Sequence, residues 1–302
     1  MQIKANGITL EVEDTGPAFD ANGKQRPAVL LIMGLGMQLI AWPPDFVQAL
    51  VDAGFRVVRF DNRDAGLSQR FGQLGKPNLL WESLKYRLRW RVRTPYTLSD
   101  MAADALGVLD ALKIDTAHVV GVSLGGMVAQ RLALMAPQRL LSLTSIMSTS
   151  SARGLPEASP AVMKVLMSRP SGKDKAAALA QSVRLFQAIG SPGFPTPIDD
   201  LRAMVAQAAE RSLYPEGIAR QMVAVAADSE RAALLSTLRL PTLVLHGRAD
   251  PLIPFGCGED TARRIPGARL FGIDGMGHDL PPPVVTRLLT QLVPHLQSHN
   301  PT

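Results

Sequence analysis

The sequence predicts an α/β protein: a mostly parallel sheet flanked by helices, with one all-helical block set into it. Three observations predict this. Short apolar strands alternate with helices in both halves of the chain. A Gly-x-Ser-x-Gly turn leads from a strand directly into a helix. The stretch from about Ser150 to Leu238 has helical periodicity and turn residues but no convincing strand. Residues 1–148 and 239–302 are therefore expected to form the core, with 149–238 a helical lid over the C-terminal edge of the sheet. That edge is where open α/β sheets bind ligands.

The elements follow in chain order. Ile8 to Glu13 alternates apolar and polar residues, the period of a half-buried strand. Val29 to Met33 is continuously apolar and stops at Gly34, as a strand covered on both faces would. Asp45 to Ala53 reads as a helix ended by Gly54, and Arg56 to Phe60 as a short strand. Leu98 to Leu112 places Met101, Ala105, Val108, Leu109 and Leu112 on one helical face, with Ser99 or Asp100 available as a cap. Strand His118 to Val122, a turn at Ser123 and helix Leu124 to Met135 come next, then strand Leu140 to Met147. Helical stretches in the block include Pro160 to Met167, Lys175 to Ala188 and Pro197 to Ala209. Strand Thr242 to Leu245, helix Glu259 to Arg264, strand Arg269 to Ile273 and helix Pro282 to His295 complete the chain. Leu84 to Arg93 alternates strictly, as a strand does, yet Leu79, Leu80, Leu84 and Leu88 fit a helix. A helix before Pro95, belonging with the lid, is the expectation.

Composition narrows the class. The chain has 302 residues, 46% hydrophobic and 19% charged, ordinary values for a globular protein with a large core. Val29 to Met33 is far too short to span a bilayer, and the first residues show no basic start followed by an apolar run. The single cysteine, Cys257, forms no internal disulfide and reads as a small buried hydrophobe. A cytoplasmic, soluble protein is expected. The net charge of +6 is concentrated between Trp81 and Arg93, where Lys85, Arg87, Arg89, Arg91 and Arg93 face Glu82 alone. Such a patch suits nucleic acid or an anionic membrane. No nucleic-acid motif accompanies it, so a solvated basic surface is expected, with no nucleic-acid partner and no stable membrane insertion.

The chemistry is carried by Gly121-Val122-Ser123-Leu124-Gly125-Gly126. A serine on a sharp strand-to-helix turn needs small neighbours, here Gly121 and Gly125, and the helix N-terminus behind it offers free N–H groups to an oxyanion. The plain alternative is a tight turn with an incidental serine. A serine hydroxyl needs a base. Of His118, His246, His278, His295 and His299, His118 begins its strand and belongs at the opposite end of the sheet. His246 closes a strand and reads as structural, while His295 and His299 lie in the last helix and tail. His278, in Gly275-Met276-Gly277-His278, follows the last strand at the same edge as Ser123 and is the expected base. Asp250, after strand Thr242 to Leu245, is the expected orienting acid. Asp228 is its rival, while Asp274 and Asp279 are poorly placed for the far ring nitrogen. An Asp-Pro turn at Asp250 is the plain alternative.

The order Ser123…Asp250…His278 with this elbow resembles the α/β-hydrolase superfamily over the whole chain except the lid. Leu31-Ile32-Met33-Gly34-Leu35-Gly36-Met37, Asp61-Asn62-Arg63-Asp64-Ala65-Gly66-Leu67-Ser68 and Pro95-Tyr96-Thr97-Leu98 resemble bacterial serine esterases of the aclacinomycin methylesterase group. The resemblance implies the α/β-hydrolase fold, with the helical lid inserted after the sixth strand, and an oxyanion hole made by the backbone N–H groups of Leu35 and Leu124. Many members carry His-Gly where this chain has Met33-Gly34, a change that main-chain donors tolerate. Haloalkane dehalogenases and the usual epoxide hydrolases would need a carboxylate at Ser123. Gly34 and Gly36 lack the spacing of a dinucleotide fingerprint, so no cofactor is expected; no metal is expected either.

A serine carboxylic-ester hydrolase acting on apolar small-molecule esters, methyl esters among them, is expected. The same triad also serves lactone, thioester or carbon–carbon bond hydrolysis. A non-catalytic binding protein on this scaffold would usually have a damaged triad, and all three candidates are present. Activity is expected to fall at acid pH, since an unperturbed imidazole protonates at about 6.5.

Overall fold

The computed structural model describes the whole chain except residues 89, 169–171, 173 and 302. Arg89, within the basic stretch, thus lies outside the described residues. Strands β1 (Gln2–Ala5) and β2 (Ile8–Thr15) form an antiparallel hairpin whose register pairs Ala5 with Ile8. Its two-residue turn, Asn6-Gly7, has φ of 49° and 76°, the left-handed pair that a tight hairpin requires. The remaining strands are β3 (Ala28–Ile32), β4 (Arg56–Phe60), β5 (Ala117–Val122), β6 (Leu140–Ile146), β7 (Thr242–Gly247) and β8 (Arg269–Ile273). The sheet order is β1-β2-β4-β3-β5-β6-β7-β8. The β1–β2 and β2–β4 pairs are antiparallel, and all pairs from β4 to β8 are parallel.

The period-two rule sorts the central strands onto two cores. Leu30 and Ile32 of β3, with Val119 of β5, pack under α3 (Leu98–Ala111) and α4 (Leu124–Met135). Val29 and Leu31, with Val120 and Val122, pack against α1 (Pro44–Asp52) and α11 (Pro282–Gln297) on the other face. Every residue of β3, β5 and β7 is buried, which accounts for their unbroken apolar runs. Burying each such Leu, Ile or Val stabilises the fold by about 1.5–3 kcal/mol.

Several boundaries differ from the sequence expectation. Thr97, rather than Ser99 or Asp100, caps α3, and Asp100 closes the reciprocal capping box on Thr97. Helix α10 runs over Phe255–Arg264, one turn earlier than expected, because Pro254 at its N-cap presets the entry. Helix α2 spans Leu79–Arg87, so the ambiguous basic segment is helical as far as Arg87, with Asn78 as its side-chain cap. Between β6 and β7 stand α5 (Pro160–Met167), α6 (Lys175–Ile189), α7 (Ile198–Arg211), α8 (Pro215–Ala227) and α9 (Arg231–Leu234). No described residue of this insertion is in a strand, and α2 packs against α8. Among the described residues no helix is long and apolar enough to cross a membrane.

At the sheet edge opposite Ser123, His118 binds Ser142 Oγ through Nδ1 at 2.7 Å and Asn300 Oδ1 through Nε2 at 3.0 Å. His295, on α11, is buried with neither ring nitrogen partnered among the described residues, and its ring lies 4.8 Å from that of His299. Burial pushes both His118 and His295 down to about 4, with the neighbouring charge of His299 acting the same way. Their folded values lie below the unfolded value of about 6.5, so the unfolded chain takes up protons that the folded one refuses. Stability is complete above that pH and is lost as pH falls from 6.5 towards 4. Each group contributes a slope of at most about 1.4 kcal/mol per pH unit. The melting temperature of His295→Leu should therefore fall less steeply over this window than that of the wild type. Parallel slopes in pH-scanned thermal melts would contradict the assignment.

Candidate active site

Ser123 sits between β5 and α4 with φ 55° and ψ −119°, a left-handed backbone that an ordinary residue holds only under constraint. The constraint is close packing. A Cβ placed on Gly121 would collide with the carbonyl of Gly125, and one placed on Gly125 would collide with the carbonyl of Ile32. The first turn of α4 thus leans directly on the end of β3. Ser123 N–H donates to Ile146 O at 2.9 Å, and Ser148 Oγ donates to Ser123 O at 2.6 Å, so the end of β6 and the residues just after it hold the elbow from the other side.

The three side chains singled out in the sequence meet here. His278 Nε2 lies 3.0 Å from Ser123 Oγ, and His278 Nδ1 lies 2.7 Å from Asp250 Oδ2. The carboxylate accepts at Nδ1, which assigns the proton there and leaves Nε2 to accept from the serine hydroxyl. Asp250 Oδ1 accepts the N–H groups of Leu252 and Ile253, each at 2.9 Å, so both carboxylate oxygens are engaged. The Asp250 turn and the hydrogen bond from the imidazole thus coexist. His246, buried beside them, has Nε2 2.7 Å from Ile253 O and 3.6 Å from Asp250 Oδ2. Burial pushes its pKa down, so it is a neutral donor bracing the Asp250 loop.

The other candidates are elsewhere. Asp228 is bound by Arg131 Nε at 2.7 Å and Arg231 Nε at 2.6 Å. Asp274 is exposed and pairs with Arg248 at 3.1 Å. Asp279 has a part the sequence reading did not find: it accepts from Ser191 Oγ, which in turn accepts Gly277 N–H at 2.9 Å. His278 N–H donates to Ile189 O at 2.7 Å, and Gly193 N–H to Gly275 O at 2.9 Å. The loop carrying His278 is therefore gripped by the end of α6 and the residues after it. Nothing in the local pattern around Ser191 announces this, because the partners lie some ninety residues apart.

Leu35 occupies the turn after β3. A Cβ placed on Gly34 would stand 3.4 Å from Ser123 Cβ, so this turn abuts the elbow. Among the described residues no protein acceptor takes the N–H of Leu35 or of Leu124, and Leu124 is the first residue of α4. Two free donors thus flank the serine, one at a helix N-terminus. Among the described residues no group of three or more His, Cys, Asp or Glu side chains is placed to hold a metal ion. Cys257 is buried, and burial raises its thiol pKa.

Because the elbow depends on contact at Gly125, Gly125→Ala should destabilise the protein by at least about 3 kcal/mol. Gly154→Ala, strained only by its φ of 78° with nothing near the added methyl, should cost about 1–2 kcal/mol. Urea unfolding of the two variants checks this, and equal losses would contradict the packing account.

Comparison with known proteins agrees with this architecture. The α/β-hydrolase fold profile matches residues 27–281. Rhodomycin D methylesterase DauP of Streptomyces sp. (strain C5) is 32% identical over 316 residues, covering 98% of this chain and 97% of that protein. The enol-lactonase of Burkholderia xenovorans LB400 superposes with a TM-score of 0.72 at 23% identity, covering 98% of this chain and 100% of the other. The meta-cleavage product hydrolase CumD of Pseudomonas fluorescens IP01 gives the same score at 21% identity, covering 99% and 98%. At those identities the two structures speak to the fold alone. With its elbow, its sheet order and this match along most of its length, the chain belongs to the α/β-hydrolase family.

Proposed function

We propose that the protein is a serine carboxylic-ester hydrolase that acts through an acyl-enzyme on apolar small-molecule esters, with methyl esters first among them. The observation that carries this reading is the continuous hydrogen-bond chain Asp250–His278–Ser123, with both donor–acceptor distances at 3.0 Å or less. His278 Nε2 takes the hydroxyl proton as Ser123 Oγ attacks the ester carbonyl, and Asp250 stabilises the imidazolium so formed. The N–H groups of Leu35 and Leu124 receive the oxyanion; each such donor is worth about 10²–10³ in turnover. The tetrahedral intermediate collapses, His278 gives its proton to the leaving alcohol, and Ser123 keeps the acyl group. Water then attacks with His278 again as base, releasing the acid and restoring the serine.

The preference for methyl esters rests on the likeness to a rhodomycin D methylesterase and on the apolar side chains of Leu35 and Ile218 at the oxyanion turn. We read the helical insertion, 149–238, as a lid: Ile218 overlies Gly36, so α8 covers the turn after β3 that abuts the elbow. A single, buried cysteine suits a reducing compartment such as the cytoplasm.

Ser123→Ala should fold with an unchanged melting temperature and lose about 10⁶ in turnover of methyl and short p-nitrophenyl esters. Asp250→Asn should lose about 10⁴, because the amide presents the wrong partner to Nδ1. Assays with a lactone, a thioester and a β-diketone in parallel define the acyl class. Ester turnover by Ser123→Ala at the wild-type rate would overturn the proposal.

A further inference from the structure

Helix α8 reaches the oxyanion turn through one buried side chain. Gln221 is fully buried, and both halves of its amide are used: Oε1 accepts Gly36 N–H at 2.8 Å, and Nε2 donates to Arg63 O at 2.8 Å. The reverse orientation of the amide would set oxygen against oxygen, so the assignment is unique. Arg63 is itself immobilised by Asp104, through Nε at 2.6 Å and Nη2 at 2.7 Å. The anchor on which Gln221 bears is therefore rigid.

What Gln221 holds is a turn with little stiffness of its own. Met37 N–H closes it on Gly34 O at 3.2 Å, and Gly36 stands at φ 65°. Glycine accepts either sign of φ at low cost, so the Leu35–Gly36 peptide rotates freely unless a partner fixes it. Two buried amides hold the turn at its two ends: Asn62 Nδ2 donates to Met33 O at 3.0 Å, fixing the Met33–Gly34 peptide, and Gln221 accepts from Gly36 N–H, fixing the Leu35–Gly36 peptide. The Leu35 N–H lies between these two held groups. Asn62 belongs to the core, whereas Gln221 belongs to the insertion.

We infer that Gln221 is a positioning residue for acyl transfer: by fixing the Gly36 N–H it keeps the neighbouring Leu35 N–H aimed at the oxyanion formed on Ser123. The inference rests on the hydrolase reading given above and assigns a residue of the insertion to transition-state geometry. It gives the insertion a part in turnover besides covering the site. Misplacing a catalytic group by about 1 Å costs about 10²-fold, whereas substrate binding in the ground state depends little on that donor.

Gln221→Met keeps the volume and removes both hydrogen bonds; Gln221→Asn keeps the polarity but is too short to reach both partners. Active enzyme is counted by exhaustive fluorophosphonate titration of Ser123, so that partial unfolding does not mimic a rate effect. Per titrated serine, kcat for a methyl ester should fall about 10- to 100-fold with KM changed less than about threefold. Affinity for a trifluoromethyl ketone, which forms a hemiketal oxyanion on the serine, should fall by the same factor as kcat/KM. A folded variant of either kind with kcat within about twofold of wild type, or with a change in KM alone, overturns the inference. If Gln221→Met does not fold, the Asn variant decides alone. Ser123→Ala run alongside separates the two claims. Turnover in that variant fails the hydrolase reading and this inference with it, whereas an inactive Ser123→Ala beside a fully active Gln221 variant fails the positioning role only.

Discussion

The close contact between the first turn of α4 and the end of β3 is the constraint on which the site depends. With hydrogen at Cα of Gly125, the helix approaches Ile32 near enough for Ser123 to be lifted into its left-handed conformation at the sheet edge. Parallel strands all end at that edge, so β3 contributes the turn with Leu35, β7 the loop with Asp250, and β8 the loop with His278. Any widening between α4 and β3 would carry the hydroxyl and the adjoining Leu124 N–H away from the imidazole and from the Leu35 N–H. Stability and chemistry meet at the same contact, since the residue under strain is the one the reaction would use.

The insertion is bound to the core by charged groups as well as by packing. Arg211 of α7 reaches Asp61 at 2.7 Å, and Arg220 of α8 reaches Asp64 at 2.8 Å, with the carboxylates of both pairs fully buried. Burial pushes Asp61 upward, against the lowering effect of the Leu39 and Leu67 N–H groups and of Arg211. Net stabilisation from such pairs is small, but removing one partner strands a buried charge and costs about 3–5 kcal/mol. They fix where α7 and α8 sit, and through Gln221 they fix the turn beside the serine. At the opposite side, Ile189 and Ser191 fix the loop that carries His278. The turn with Leu35 and the loop with His278 are thus both contacted by residues from the insertion.

Much of this was legible in the sequence because it is local. Strand period, the strand-turn-helix around Ser123 and the turn chemistry near Asp250 are written in contiguous residues, and they led to the fold class and to the three residues that the structure brings together. The hairpin β1–β2 went unread: Asn6-Gly7 is a turn signal, but Gln2 to Ala5 alone is too short to read as a strand. Helix α8 falls inside the all-helical block but was not singled out, and Pro215 and Gly217 near its start look like turn residues. Proline suits a first helical turn, and Gly217 is among the buried residues of the helix. Gln221 and Ser191 left no trace, because their partners are remote in the chain and a buried glutamine looks the same as a solvated one. The basic segment alternates like a strand, yet the helix expected from Leu79, Leu80, Leu84 and Leu88 forms as far as Arg87, capped by Asn78 and in contact with α8.

The account stands or falls on an activated hydroxyl at one position. Treatment with a fluorophosphonate followed by peptide mass spectrometry reads this directly. The account predicts a single adduct on Ser123 in the wild type and none, on the same timescale, in His278→Ala. An unmodified Ser123 in folded wild-type protein, or equally fast labelling without the imidazole, would contradict it.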